Sequence, residues 1–357
     1  MIVINSSFLA LKLRGINRFA IEISRQLKLL LPDTTFIAPE SILNNQYTLG
    51  IKPKIYKKDI RIPVKQVVFW EQLDLISYLK KNNNPLLLNL TNTAPVIYKN
   101  QIVTIHDLMF LHNPAWYSKK HYYFYKNLFY LIAHNSLKVV TVSEFSKKEL
   151  IKHFKLDKNK IEVIYNAVSP YFVDLAYDIP NKYGEYILAV SSLDPRKNFK
   201  GLIEAYNKLK LKGIKLLIVG EKGTILSQKS FNGLINNNPN IVFTGHVTDK
   251  ELAGLYKNAK LFVFPSLCEG FGIPPIEAMA CGCPTVVSNA ASIPEVCADA
   301  SYYVDPNSID SIAKGIYEVL KDESIQKELV NKGLVRVKAF SWKDSAQKYV
   351  DIIKRLG

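Results

Sequence analysis

Short apolar runs alternate with amphipathic stretches along the whole chain. MIVINS at the start predicts a buried strand. The next stretch, INRFAIEISRQLKLLL, sets Phe19, Ile23, Leu27 and Leu30 on one stripe at helical spacing and predicts a helix. PLLLNL, QIVTIH, KVVTVS and IEVIYN read as further buried strands, and SEFSKKEL opens a helix that Ser143 or Ser146 can cap. Buried strands alternating with helices are the mark of a parallel sheet covered on both faces.

The pattern then restarts. YILAVSS, KLLIVG, NIVFTG, KLFVFPS and PTVVSN predict five more buried strands, separated by helices over NFKGLIEAYNKLK, DKELAGLYKNA and PPIEAMACG and by an ambiguous stretch near 224–236. Thr248 and Glu251 have the spacing of a capping box at the head of the second of these helices. SPYFVDLAYDIPNKYGE lies between the halves, is aperiodic, and marks a linker near 170–184. The expected fold is α/β: a Rossmann-like domain over 1–172, a second over 173–340, and a terminal helix over 341–357 packing back on the first. A length of 357 residues suits two domains. Two such sheets facing each other form an interdomain cleft, with ligands in loops just after the strands.

Composition and charge narrow the classes. Apolar residues make up 48%, which excludes a disordered chain, and no apolar run approaches the roughly 18 residues of a spanning helix. The first residues lack the charge-then-apolar order of a secretory signal, so a cytoplasmic protein is expected. The formal charge is +16, from 47 basic and 31 acidic residues, and it leaves nucleic acid, an anionic membrane or a polyanionic small molecule as partners. Residues 1–178 carry 24 basic and 13 acidic residues, or +11; residues 179–357 carry 23 and 18, or +5. One basic run holds Lys52, Lys54, Lys57, Lys58, Arg61 and Lys65. Another sets Lys119, Lys120 and Lys126 among Trp116, Tyr117, Tyr122, Tyr123, Phe124, Tyr125, Phe129 and Tyr130. Such interleaving suits a membrane interface, and equally a helix whose aromatics are core. Cys268, Cys281, Cys283 and Cys297 lack metal-site spacing and read as small buried residues.

The densest chemistry lies in LFVFPSLCEGFGIPPIEAMACGCPTVV. A strand ends at Pro265; Glu269, Gly270, Phe271 and Gly272 follow; Pro274 and Pro275 open a helix that contains Glu277. Glycines let backbone N–H groups come close to a ligand, and a helix N-terminus favours an anion. Two carboxylates beside an anion site suit a polyhydroxylated phosphate ester such as a nucleotide sugar.

With its surroundings, EGFGIPPIEAMACGCPTV resembles the signature of the family 4 retaining glycosyltransferases, which have the GT-B fold. RGINRFAIEI, TIHDLMFLHNPAWYS, SLDPRKNFKGLIEAY and GHVTDKELAGLYKNA resemble other segments of that family, in family order. The resemblance covers the whole chain and is nearest to bacterial mannosyltransferases of surface-polysaccharide assembly. It implies that Lys197 pairs with the donor diphosphate, with Arg196 as a second cation where many members have an Arg at the position of Ser192. It implies further that Glu269 contacts donor-sugar hydroxyls, that Glu277 accepts from the ribose, and that Phe271 and Gly272 offer backbone N–H groups. Val247 is implied at the base, Gly15 at the phosphates, and His106, beside Asp107, at the donor sugar.

The chain has no D-x-D metal anchor. Metal-free transfer is therefore expected; the resemblance implies retention by same-face attack, the departing phosphate taking the acceptor proton. The expected reaction moves a hexose, mannose from GDP-mannose being the leading case, to a lipid-linked or polysaccharide acceptor. An epimerase or phosphorylase of the same fold is the alternative. Nucleic-acid binding stands behind both, since no recognition motif supports it.

Overall fold

The computed structural model describes residues 1–10, 15–40, 51–56, 67–173, 180–220 and 238–356. Lys57, Lys58, Arg61 and Lys65 of the first basic run, and the stretch near 224–236, lie outside the described residues.

Two compact units divide the chain, one of residues 1–166 with 341–357 and one of 167–340. In the first, the described strands are β1 (Ile2–Asn5), β2 (Thr35–Ala38), β3 (Lys54–Ile55), β4 (Leu86–Asn89), β5 (Gln101–Thr104), β6 (Lys138–Thr141) and β7 (Ile161–Val163). They form one parallel sheet in the order β3-β2-β1-β4-β5-β6-β7. Val3, Ile4, Leu87, Leu88, Ile102, Val103, Val139 and Val140 are buried, because helices cover both faces. The helix Gly15–Leu30 buries Phe19, Ile23 and Leu27 of its predicted stripe.

The terminal helix Trp342–Leu356 belongs to this unit and packs along Gly15–Leu30. Trp342 meets the Phe19 ring edge-on at 5.9 Å, and the buried Tyr349 hydroxyl lies 2.6 Å from Thr104 Oγ1. Burial of two large aromatics and the pairing of a buried hydroxyl give this helix a firm seat.

The second unit repeats the plan. Its described strands are β8 (Glu185–Val190), β9 (Ile214–Val219), β10 (Ile241–Gly245), β11 (Leu261–Phe264), β12 (Thr285–Ser288) and β13 (Tyr302–Val304), parallel in the order β10-β9-β8-β11-β12-β13. The direction of strand order reverses between β8 and β11 here, and between β1 and β4 in the first unit. Each reversal opens a crevice at the carboxyl ends of those strands. Gly220, at the end of β9, is required by space: a Cβ there would lie 1.9 Å from the Ser191 carbonyl oxygen.

The units divide ahead of the expected 172/173 border, and packing explains why. Phe172 is fully buried in the second unit, its ring 6.0 Å from that of Tyr256, and its carbonyl accepts the Cys281 thiol at 3.6 Å. The capping residues behave as expected: Ser143 accepts from the Ser146 N–H, and Thr248 and Glu251 form the reciprocal box. The aromatic helix Lys119–Asn135 divides its side chains. Leu128, Phe129, Ile132 and Ala133 are buried, while Tyr123, Phe124, Tyr130 and Leu131 are exposed. All four cysteines are free and buried; burial pushes the Cys281 and Cys297 thiols up to about 12. Among the described residues no helix is long and apolar enough to cross a membrane.

Gly220→Ala should unfold or strongly destabilise the second unit. Gly213→Ala, whose φ is +74° but whose Cβ meets nothing, should lose only the left-handed penalty of about 1–2 kcal/mol. Chemical denaturation of the two variants checks the contrast; equal losses would show that the Ser191 approach is relaxed in solution.

Candidate active site

The crevice of the second sheet is built from the loops that follow β8 and β11. After β8, Asp194 accepts from the Arg196 N–H at 2.9 Å, and Pro195 opens a tight turn over Pro195–Lys197. Asn198 then takes a left-handed conformation, φ +55°, and opens the helix Phe199–Leu209. Its side-chain amide donates to the carbonyls of Pro265 at 3.2 Å and Pro306 at 2.7 Å. The Arg196 carbonyl accepts from the Leu267 N–H at 2.8 Å, and the Ser266 hydroxyl oxygen lies 3.0 Å from it. Three of these contacts stitch the two loops together, and the bond to Pro306 ties in the loop after β13.

The stitching brings Lys197 and Glu269 into contact. Lys197 Nζ donates to Glu269 Oε1 at 2.6 Å, and the Ser266 hydroxyl donates to the same oxygen at 2.5 Å. The side chains are only 15% and 11% exposed, and Lys197 Nζ stands 5.5 Å from the centroid of the Phe264 ring. A pair this poorly solvated is held by mutual need: removing one charge strands the other. Arg196 is committed differently. Its guanidinium donates to both Asp194 carboxylate oxygens, at 3.0 and 2.8 Å. Burial raises the Asp194 carboxyl, but hydrogen bonds and charge from Arg196, with Lys197 adding to them, hold it below the usual range. Ser192 is exposed beside them.

The second loop turns into the helix Ile273–Ala280 through Gly272, which has φ +101° and would place a Cβ 2.5 Å from Ile293 Cδ1. The Ser292 hydroxyl lies 2.9 Å from the Glu269 carbonyl and 3.0 Å from that of Phe271, fixing the Glu269-Gly270-Phe271 backbone from beneath. Phe271 is buried edge-on against Phe340 at 5.6 Å. One turn into the helix, Glu277 is buried and accepts from the Tyr256 hydroxyl at 3.2 Å. Burial, with Glu277 adjacent, pushes the Tyr256 hydroxyl well above its ordinary range, so it stays a donor. Val247 is half-buried between β10 and the helix Asp249–Asn258.

His106 and Gly15 belong to the first unit. Gly15 is exposed at the head of its helix. His106 follows β5 and is buried: Nε2 lies 3.1 Å from the Leu90 carbonyl, the ring meets Phe19 edge-on at 4.8 Å, and its own carbonyl accepts from Ser146 at 3.2 Å. Burial lowers its pKa against the opposing pull of the Leu90 carbonyl and Asp107, so the neutral form carries its proton on Nε2. Asp107 caps the next turn by accepting from the Met109 N–H. The structure thus gathers Lys197, Glu269 and the Gly270–Glu277 segment in one crevice. It adds Ser266, Asn198, Ser292 and Tyr256, to which the motif reading assigned no role. Asn198 carried a readable signal, an Asn just ahead of a helix; Tyr256 carried none, since its reach to Glu277 is tertiary.

Two tandem sheets of this order, each reversing beside its ligand loops, with a lysine–carboxylate pair and a glycine-headed helix in one of them, define a two-domain glycosyltransferase of GT-B type. Known proteins agree. The profile described as "Glycosyltransferase Family 4" matches residues 13–171, and "Glycosyl transferases group 1" matches 179–335. O-antigen chain mannosyltransferase B of Escherichia coli is 31% identical over 269 residues, covering 71% of this chain and 70% of that protein. The serotype-specific mannosyltransferase WbdA of Escherichia coli is 32% identical over 235 residues, covering 61% of this chain and 29% of that larger protein. The crystal structure of Anabaena HepE in complex with UDP-glucose superposes with a TM-score of 0.77 at 17% identity, over 99% of each chain, a likeness of fold. The chain belongs to the family 4 glycosyltransferases.

The lowered His106 pKa has a stability consequence. The unfolded chain binds this proton first, so stability should fall as pH drops through about 6.5 and below. His106→Asn should remove that part of the acid loss. Denaturation midpoints of both proteins at about pH 7.5 and pH 5 check it; parallel losses would show that His106 does not resist protonation.

Proposed function

We propose that this chain transfers mannose from GDP-mannose to a lipid-linked or polysaccharide acceptor in surface-glycan assembly, with retention and without a metal. The single observation that carries the reading is the Lys197–Glu269 pair, held at the reversal of the second sheet beside the head of the Ile273–Ala280 helix. In this reading the diphosphate takes Lys197 Nζ and the Phe271 and Gly272 N–H groups, where a fixed cation and a helix N-terminus stabilise the leaving charge. Glu269 then turns to the sugar hydroxyls, and Glu277, steadied by Tyr256, accepts from the ribose. Arg196 reaches the diphosphate only by releasing Asp194. Val247 borders the base. The acceptor hydroxyl attacks from the face the diphosphate leaves, and the departing phosphate oxygen takes its proton. His106 and Gly15 are the first unit's proposed donor-contacting residues.

The relatives' names support mannose and a polysaccharide product. HepE was crystallised with UDP-glucose, so the competing donor is a UDP-sugar. The first unit is the acceptor side in this reading. Its helix Lys119–Asn135 has no carboxylate and exposes Tyr123, Phe124, Tyr130 and Leu131 beside Lys119, Lys120 and Lys126, a face suited to an anionic membrane where lipid-linked acceptors reside.

A thermal-shift panel of GDP-, UDP-, dTDP- and ADP-sugars checks the donor: GDP-mannose should raise Tm most, and Glu277→Ala should weaken that shift. A stronger shift with a UDP-sugar would overturn the mannose assignment. Transfer should survive a chelator and yield an α-linked product by anomeric NMR; loss of activity on chelation, or a β-linkage, would contradict the mechanism. A free nucleotide sugar altered with no glycoside formed would favour the epimerase. Tyr123→Ser with Phe124→Ser should reduce sedimentation with phosphatidylglycerol vesicles; unchanged sedimentation would remove the membrane face from the reading.

A further inference from the structure

The crevice of the first sheet holds a second buried acid that none of the preceding roles uses. Glu71 lies in a π-helical turn, Glu71–Leu75, and is fully buried. Its Oε1 accepts from Asn5 Nδ2 at 2.8 Å, Ser7 Oγ at 3.1 Å and Thr93 Oγ1 at 3.0 Å. Its Oε2 is buried and, among the described residues, has no hydrogen-bond partner. Asn5 ends β1, Ser7 begins the loop after β1, and Thr93 lies in the loop after β4; these are the two loops that flank the reversal. A ladder of amides runs on across the sheet: Asn5 Nδ2 to Asn89 Oδ1 at 3.0 Å, Asn89 Nδ2 to Gln101 Oε1 at 2.9 Å, and Gln101 Nε2 to the Pro95 carbonyl at 2.8 Å. The same loop after β4 carries Leu90 and Asn92, which bind the ring and N–H of His106.

All three donors converge on one oxygen and leave the other bare. That asymmetry suits a carboxylic acid, with its proton on Oε2 and its carbonyl oxygen taking the donors. An unbonded hydroxyl is a smaller penalty than the unbonded half of a buried anion. Among the described residues the surroundings offer no countercharge: β1, β4 and the Ser7–Ala10 turn carry no titratable side chain, and Lys99, in the loop after β4, is exposed and is not among the groups that shift Glu71. In the loop after β4, Tyr98 donates its hydroxyl to the Pro85 carbonyl. Buried Asp74, one turn along the same helix, has its own partners, and buried His106 is held by the loop after β4. Burial accordingly pushes the Glu71 carboxyl up to about 7, against the lowering effect of Asn5, Thr93 and Ser7.

We propose that Glu71 is a positioning residue of the acceptor-side unit: as a neutral acid it clamps the Ser7–Ala10 turn after β1 and the loop after β4 in their acceptor-binding form, and on ionising it releases them. This rests on reading the first unit as the acceptor side. Ionisation spreads negative charge over both oxygens, and Oε2 has no hydrogen-bond donor among the described residues, so water or a displaced loop must supply one. π-helical turns often mark such functional positions.

Glu71→Gln separates the states, because its Oε1 keeps the three donors while its amide nitrogen replaces the bare oxygen. In the wild type the acceptor KM should rise about tenfold from near pH 6 to near pH 8.5, with the donor KM flat; in Glu71→Gln the acceptor KM should stay low throughout. Thr93→Val, which removes one donor to the anion, should move the wild-type midpoint to higher pH. Folding stability supplies a readout independent of activity. An acid raised above its unfolded pKa loses its contribution as pH climbs, so the difference in Tm between wild type and Glu71→Gln should change between about pH 4.5 and 7 and level off above. A level difference over that window, or acceptor KM curves that run parallel in the two proteins, would overturn the proposal. If no acceptor is glycosylated at all, the functional reading fails, and the stability difference still tests whether Glu71 is held as an acid.

Discussion

The second unit turns on one contact, a lysine ammonium and a glutamate carboxylate 2.6 Å apart with little water around either. Each charge is tolerable there only because the other is present. Holding them demands that two loops, separated by seventy-two positions along the chain, stay in register. The Asn198 amide, the Arg196 carbonyl and the Ser266 hydroxyl provide that register, and the strand reversal between β8 and β11 provides the gap. In the proposed function, a diphosphate entering this crevice would exchange one anionic partner of Lys197 for another and would free Glu269 for hydroxyl groups.

The two sheets share a topology and fill the reversal differently. The second places a charged pair there, next to a helix head opened by Gly272. The first places a ladder of neutral amides and hydroxyls that ends on Glu71. The contrast fits the proposed division of labour, an anionic donor in the second unit and acceptor hydroxyl groups in the first. The charge distribution adds to it: the first half carries +11 of the +16, yet its described crevice has no basic residue among the partners of Glu71. Part of its basic excess lies instead on the outside of the Lys119–Asn135 helix.

Much of this was legible in the sequence, for physical reasons. Runs such as KVVTVS and KLFVFPS announce strands because a parallel sheet buries both faces. TFIA, the two-residue exposed β3 and YYV were missed as strands; β3 and the three-residue YYV are too short to show a period. Lys197, Glu269 and Glu277 could be singled out one by one from glycine and proline punctuation. Their partners could not: Ser266 bonding Glu269 and Tyr256 reaching Glu277 depend on tertiary approach. Glu71 was least visible, since it and Asp74 in FWEQLDL read as the acids of an ordinary helix surface. Only burial and a bare oxygen distinguish it. The division between units was misplaced for a like reason, because Phe172 sits in an aperiodic stretch whose core contacts are all distant in sequence.

The most direct test of the central claim is a crystal structure of the protein with GDP-mannose or its non-transferable analogue. Lys197 Nζ should have left Glu269 for a diphosphate oxygen, with Glu269 turned to sugar hydroxyls and Glu277 still bonded to Tyr256. A nucleotide sugar bound elsewhere, with the Lys197–Glu269 pair intact, would contradict the account.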